Sequence, residues 1–252
     1  VAALHADLHE HHTPRPLATG VSATMTVEAR YEAAAESSNV VAILPGRDAA
    51  RGNEHVILGA HLDHVGSQGG AVYAGANDNA SGVATVLAVA QALAAAPRPP
   101  PRTVVFLLFS GEEQGLAGAE AYVANPALPL DDAVAMVNVD CVGLGEAVKL
   151  GGGEAHPGLW ALAHDLDAAS QVRTVEETFY GGGADAQPFF DAGVPTLYVH
   201  TTKSGTHLHQ PTDTVETLEP GVFGAAARLT YMTVAAVAEG RYDRDERRPP
   251  AQ

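Results

Sequence analysis

The chain predicts an α/β fold, a three-layer sandwich in which helices flank a mostly parallel, mixed central sheet. Three observations predict it. From Asn39 onward, β-branched runs alternate with stretches of helical periodicity. Thr103–Phe109 is continuously apolar and Ala133–Val139 nearly so, as expected of strands buried on both faces. At 252 residues the chain is long enough to bury one sizeable core of this kind.

The elements follow in order. Val40–Leu44 and Val56–Ala60 read as strands, set apart by Pro45-Gly46 and the polar Arg47–Asn53. Ala80–Ala96 puts Val83, Val86, Leu87, Ala90 and Leu93 at helical spacing, and the Pro97–Pro101 cluster stops it. Gly115–Asn125 reads as a short helix between the two buried strands, and Gly158–Ala169 as another after them. Pro188–Ala192 reads as helical, Thr196–His200 as a late strand, and Pro220–Ala238 as a closing helix with Val222, Ala226, Leu229 and Val237 on one side. Flanking this domain (39–240), residues 1–38 are rich in Ala, His and Glu. There the alternation in Val21–Val27 predicts a half-exposed strand, while His5, His9, His11 and His12 read as a solvated leader. The tail from Arg241 to Gln252 is charged, ends in proline and is expected to fray.

Composition narrows the partners. The net charge is −16 with no Lys/Arg block before the tail, which argues against nucleic acid or an anionic membrane. No apolar run reaches the roughly 18–20 residues of a membrane span. Cys141 is the only cysteine, so no disulfide or cysteine-built zinc site forms within one chain; in its apolar run it reads as a small buried residue.

The chemistry-bearing residues sit at strand ends or in the turns after them. His61 closes the strand Val56–Ala60, and on an extended backbone Asp63 shares its face, so a metal-binding imidazole would have a supporting carboxylate. Asp78 lies in Gly75-Ala76-Asn77-Asp78-Asn79-Ala80-Ser81-Gly82, where Asn79 or Ser81 would cap the next helix. Asp78 alone reads as a capping residue, yet its two oxygens would also let it bridge two cations. Glu112 and Glu113 follow the Thr103–Phe109 strand; adjacent glutamates there are unfavourable without nearby positive charge, although a helix N-terminus also favours acidic residues. Asp140 ends the strand Ala133–Val139, and His209 lies in a His-x-His loop after the last strand. Two imidazoles and three carboxylates suffice for two adjacent divalent metals, with Glu112 left over as a base.

In order and context these residues resemble the co-catalytic dizinc metallopeptidases of family 28, which include bacterial leucyl-type aminopeptidases. The matching segments are NVVAILPG (39–46), VILGAHLDHVG (56–66), GANDNASGV (75–83), SGEEQGLAG (110–118), MVNVDCVG (136–143) and HQPTDT (209–214). Weaker similarity runs through Gly181–Thr196, with Asp185 and a Phe-Phe-Asp-Ala-Gly-Val-Pro stretch. The resemblance implies the zinc exopeptidase fold and two zinc ions. Asp78 would bridge them, His61 and Asp140 would complete one, and Glu113 and His209 the other. Glu112 would be general base and then general acid, Asp63 the partner of His61, and the peptide after Asp78 cis. The implied activity is removal of N-terminal residues from peptides with a free α-amine, in a secreted or periplasmic setting.

Departures are visible. Several relatives carry Tyr just before the last ligand His, where this chain has Leu208; His207 and Tyr180 are the candidate substitutes for stabilising the oxyanion. Residues 1–38 also resemble the segment that rejoins the peptidase after an inserted protease-associated domain. A carboxypeptidase of the same family would need a cationic pocket, for which Arg173 and Lys203 are the candidate donors. Two more readings use the same scaffold: a single-zinc glutaminyl cyclase and a non-catalytic binding module.

Overall fold

A computed structural model describes residues 35–244, apart from 52 and 171–173, with isolated positions before 35. The four leader histidines, Arg173 and the end of the tail lie outside the described residues, as does most of Val21–Val27. The chain divides into two compact units, Val1–Glu36 and Ser37–Gln252, and every named element belongs to the second.

The elements run β1 (Val40–Leu44), β2 (His55–His61), a small hairpin of β3 (Ser67–Gln68) and β4 (Ala71–Val72), α1 (Ser81–Ala94), β5 (Thr103–Phe109) and α2 (Ala117–Ala124). Then come β6 (Ala133–Val139), β7 (Val148–Gly151), α3 (Pro157–Ser170), α4 (Ala186–Asp191), β8 (Thr196–Thr201) and α5 (Pro220–Ala238). Six strands form one sheet in the order β1-β5-β2-β6-β8-β7. The inner four are parallel and both edges antiparallel, the mixed sheet that the alternation predicts.

Residues of β2 alternate between two apolar layers. Val56, Leu58 and Ala60 join Val86, Val89, Leu159, Leu229 and Val237 on the face covered by α1, α3 and α5. Ile57 joins Leu107, Phe109, Ala119, Met136 and Phe189 on the face covered by α2 and α4. Gly59 belongs to the second face because a Cβ there would sit 2.5 Å from the Phe109 ring.

Four differences from the sequence reading have physical reasons. β7 has no apolar run of its own and forms by pairing with β8, Lys149 opposite His200. The β3–β4 hairpin is too short to leave a periodic signal. α5 is 19 residues long and by length and composition matches a membrane span; half of it is buried, its apolar side packed in the core. Finally, the chain stays packed past residue 240. Tyr242 is buried, Arg244 donates to the carbonyls of Leu130, Asp131, Ala133 and Gly193, and the buried Arg102 donates to Glu54, Asp243 and the carbonyls of Val237 and Tyr242.

Candidate functional site

Parallel strands point their carboxyl ends to one edge of the sheet, and the loops there build the site. His61 is the last residue of β2, Ser110–Glu113 follow β5, Asp140 follows β6, and His209 lies on the turn-rich loop after β8. Asp78 is buried in the non-helical turn before α1, between Asn77 and Asn79, and the Asp78–Asn79 peptide is cis.

The elaborate Asn-Asp-Asn sequence is a scaffold for that turn. The fully buried Asp213 accepts the backbone N–H of Asn77 at 2.8 Å and of Asp78 at 3.0 Å. The Asn77 side chain accepts from Gly143 N–H and donates to the Ser204 carbonyl. Asn79 Oδ1 accepts from Gly82, in the first turn of α1, and from Cys141, while its Nδ2 donates to the Val139 carbonyl. Of the two expected caps, Asn79 acts on the helix; Ser81 donates to the Asn77 carbonyl instead. Gly82 packs so closely that a Cβ would lie 2.4 Å from the Val139 carbonyl oxygen.

Two clusters share Asp78. In the first, His61 Nε2 lies 3.2 Å from Asp78 Oδ1 and 3.4 Å from Asp140 Oδ1. In the second, His209 Nε2 lies 2.9 Å from Glu113 Oε2 and 3.3 Å from Asp78 Oδ2. His64 Nδ1 also enters the second cluster, 2.9 Å from Glu113 Oε1 and 3.5 Å from Asp78 Oδ2. Asp78 Oδ2 and Asp140 Oδ1 are buried and accept no hydrogen bond. Buried carboxylate oxygens without donors are costly, and their grouping with imidazole nitrogens is the donor set that divalent zinc takes. The residues therefore fit metal ions, with Asp78 facing both positions.

Electrostatics bear the same mark. Burial opposes a charge on His61, but the close carboxylates of Asp140 and Asp78, with the charge of Glu112 beyond them, push its pKa up to about 12. Burial also opposes ionisation of Asp140, but His61 and a 2.9 Å hydrogen bond from Tyr198 Oη to Asp140 Oδ2 hold its carboxyl below the usual range. Burial pushes Glu112 up to about 7; His61 opposes this and the neighbouring carboxylates reinforce it. Asp185 is fully buried with neither oxygen hydrogen-bonded, and burial raises its pKa to about 8. Burial raises the Cys141 thiol as well, in keeping with an inert thiol.

All five expected ligands and Glu112 line one cavity of about 400 Å³, with Cys141, Tyr198, Ser204, Gly205 and Leu208 as the remaining wall. One expected role is corrected. Asp63 does not support His61 through its carboxylate: His61 Nδ1 meets the Asp63 carbonyl at 3.1 Å and its carboxylate oxygen only at 4.0 Å. β2 ends at His61, so the period-two argument stops there. The Asp63 carboxylate instead accepts the backbone N–H groups of Glu112 and Glu113, fixing the turn that aims both glutamates.

Neither proposed oxyanion substitute lines the cavity. His207 bonds Thr212, and Tyr180 is 56% exposed and packs on Phe190. Of the nearby aromatics, Phe189 is core and Phe179 packs beside Tyr198, which lines the cavity. Lys203 pairs with Glu146 rather than entering the cavity. Sequence reasoning missed His64, Asp213 and the Tyr198 hydrogen bond. His64 had a signal, the His-x-x-His spacing from His61, and Asp213 lies in the matching segment HQPTDT; their roles, like that of Tyr198, depend on partners remote in the chain.

Comparisons with known proteins identify the family and the fold. The model of peptidase family M28 matches residues 39–234. A probable leucine aminopeptidase from Arthroderma benhamiae is 28% identical over 200 residues, covering 76% of this chain and 55% of its own. The chain thus spans about half the length of the curated relatives it matches. Among solved structures, a zinc aminopeptidase from Bacillus subtilis shares the fold with a TM-score of 0.67 at 22% identity, covering 79% of this chain and 50% of its own. A glutaminyl cyclase from an Acidobacteriales bacterium shares it with a TM-score of 0.69 at 18% identity, covering 81% and 74%.

Proposed function

The chain belongs to peptidase family M28, and from that premise we propose that it is a zinc-dependent aminopeptidase acting at a two-metal site. The observation that carries this reading is the meeting of Asp78, Glu113, Asp140, His61 and His209 around one cavity, with Glu112 beside them. Asp78 would face both ions, His61 and Asp140 would hold one zinc, and Glu113 and His209 would hold the other. When bound, zinc supplies Lewis-acid polarisation of a carbonyl and a lowered water pKa.

The chain's own residues do the rest. Glu112 accepts a proton from the attacking water and returns it to the leaving amine, a transfer that a carboxylate placed beside the metal-holding residues can make in both directions. Asp63 fixes the Glu112 backbone, so the base keeps its place beside the ligands. The cavity wall includes four carboxylates and, among the described residues, no Arg or Lys. Without Arg or Lys in the wall, a substrate's terminal carboxylate has no side-chain cation to meet there, which ranks aminopeptidase ahead of carboxypeptidase.

The test is direct. Purified protein is expected to bind two zincs per chain and to hydrolyse an aminoacyl anilide but not its N-acetylated form. Glu112→Gln is expected to retain zinc while losing about 10²–10⁴-fold in kcat. A chain that binds no zinc, or E112Q at full activity, overturns the reading; cyclisation of an N-terminal glutamine without hydrolysis would favour a glutaminyl cyclase.

A further inference from the structure

We propose that His64 is a further ligand at the Asp78–Glu113 metal position, so that this position carries two imidazoles and holds its ion without His209. The inference rests on the two-metal reading above. Its basis is the direction and the fixation of the ring. Nδ1 faces both carboxylates of the position, 2.9 Å from Glu113 Oε1 and 3.5 Å from Asp78 Oδ2. One atom from each of His64, Asp78 and Glu113 can therefore meet on one ion, the three lying within 4.8 Å of one another. The ring occupies a slot that exists because residue 75 is glycine: a Cβ there would lie 2.8 Å from His64 Cγ and Cδ2. Nε2 is buried and makes no hydrogen bond, so the polar contacts of the ring are directed at the carboxylates.

His209 is the less constrained imidazole. Its side chain is 50% exposed against 10% for His64, and it has a left-handed φ of 53° on a loop of turns. The two rings approach edge to face at 5.8 Å, one on each side of Glu113: Oε1 meets His64 and Oε2 meets His209. A histidine that only oriented Glu113 would need one hydrogen bond and no approach to Asp78. With His64 as ligand, the position has four protein ligands, the number typical of a closed zinc site, while the His61–Asp78–Asp140 position keeps three and remains open.

The experiment measures zinc content and affinity by equilibrium dialysis against zinc buffers, and counts imidazoles by X-ray absorption on the fully loaded chain. Three imidazoles per two zincs are expected in the wild type and two in His64→Ala. H64A should weaken the tighter zinc at least about 10–100-fold, the cost of losing even a supporting group. His209→Ala should retain two zincs, and H64A/H209A only one. His64→Gln keeps a donor for Glu113 but no imidazole, and is expected to behave like H64A. An imidazole count unmoved by H64A, wild-type zinc affinity in H64Q, or loss of the second zinc in H209A alone overturns the inference and leaves the two-metal reading intact. A wild-type chain that binds no zinc overturns both.

Discussion

Asp213 offers the sharpest test of how the fold holds Asp78, because it touches the site only through the backbone. Its fully buried carboxylate accepts the N–H groups of Asn77 and Asp78 at 2.8 and 3.0 Å. Hydrogen bonds to a charged acceptor contribute roughly 1.5–3 kcal/mol each, and Asp213→Ala would leave two buried donors unpaired. The expected loss is therefore about 3–6 kcal/mol, a large share of the ~5–15 kcal/mol that stabilises a domain. Asp213→Asn keeps one acceptor oxygen but turns an NH₂ toward the other donor, so roughly half that loss, about 1.5–3 kcal/mol, is expected. Urea unfolding should rank wild type above D213N above D213A at constant m, and zinc affinity should fall in the same order as Asp78 loses its support. If D213A unfolds within about 0.5 kcal/mol of wild type and binds zinc equally well, the backbone of Asp78 is held by something else and the role assigned to Asp213 is wrong.

Three further outcomes are expected. In the metal-free chain, Asp185 keeps its proton to about pH 8 when folded, against an ordinary pKa of 3.8. The unfolded chain releases that proton first, so stability falls as pH rises through this window, by up to ~1.4 kcal/mol per pH unit. Asp185→Asn should flatten this slope of unfolding free energy between about pH 5 and 8, and an unchanged slope would show that Asp185 does not titrate there. Tyr198→Phe removes the hydrogen bond to Asp140 Oδ2, and zinc affinity at the His61–Asp78–Asp140 position should fall about 10–100-fold, measured by competition with a chromogenic chelator. Because His61 is held protonated to about pH 12 by its carboxylate partners, zinc binding near neutral pH should release a proton from it, seen as a dependence of the calorimetric enthalpy on buffer ionisation.

The layers and most elements were legible because their signals are local. The apolar run Thr103–Phe109 is a strand over that same span, and Pro220–Ala238 is a helix over its predicted length. Ligand types at strand ends were legible too, since parallel strands bring their carboxyl ends together whatever the loops do. What escaped depends on contacts that no window along the chain contains. β7 exists through β8, Asp213 reaches Asn77 across 136 positions, and Tyr198 reaches Asp140 across 58. Asp63 was misread for the opposite reason: a sound local rule was extended two residues beyond the end of β2.

These contacts also explain why so acidic a site persists in a folded chain. Asp78, Glu112, Glu113, Asp140, Asp185 and Asp213 gather at one end of a sheet in a protein of net charge −16, where mutual repulsion should loosen the loops. Three devices oppose this. Backbone N–H groups solvate the carboxylates of Asp213 and Asp63, a retained proton neutralises Asp185, and the His61 imidazolium lies between Asp78 and Asp140. Only the third occupies space that a cation can take over, because the oxygens it faces include the buried Asp140 Oδ1, which accepts no hydrogen bond. The carboxylates with backbone donors build the frame, and the donor-free oxygens Asp78 Oδ2 and Asp140 Oδ1 are left for the ion. That division separates Asp213 from Asp140, two buried aspartates with opposite roles in the site.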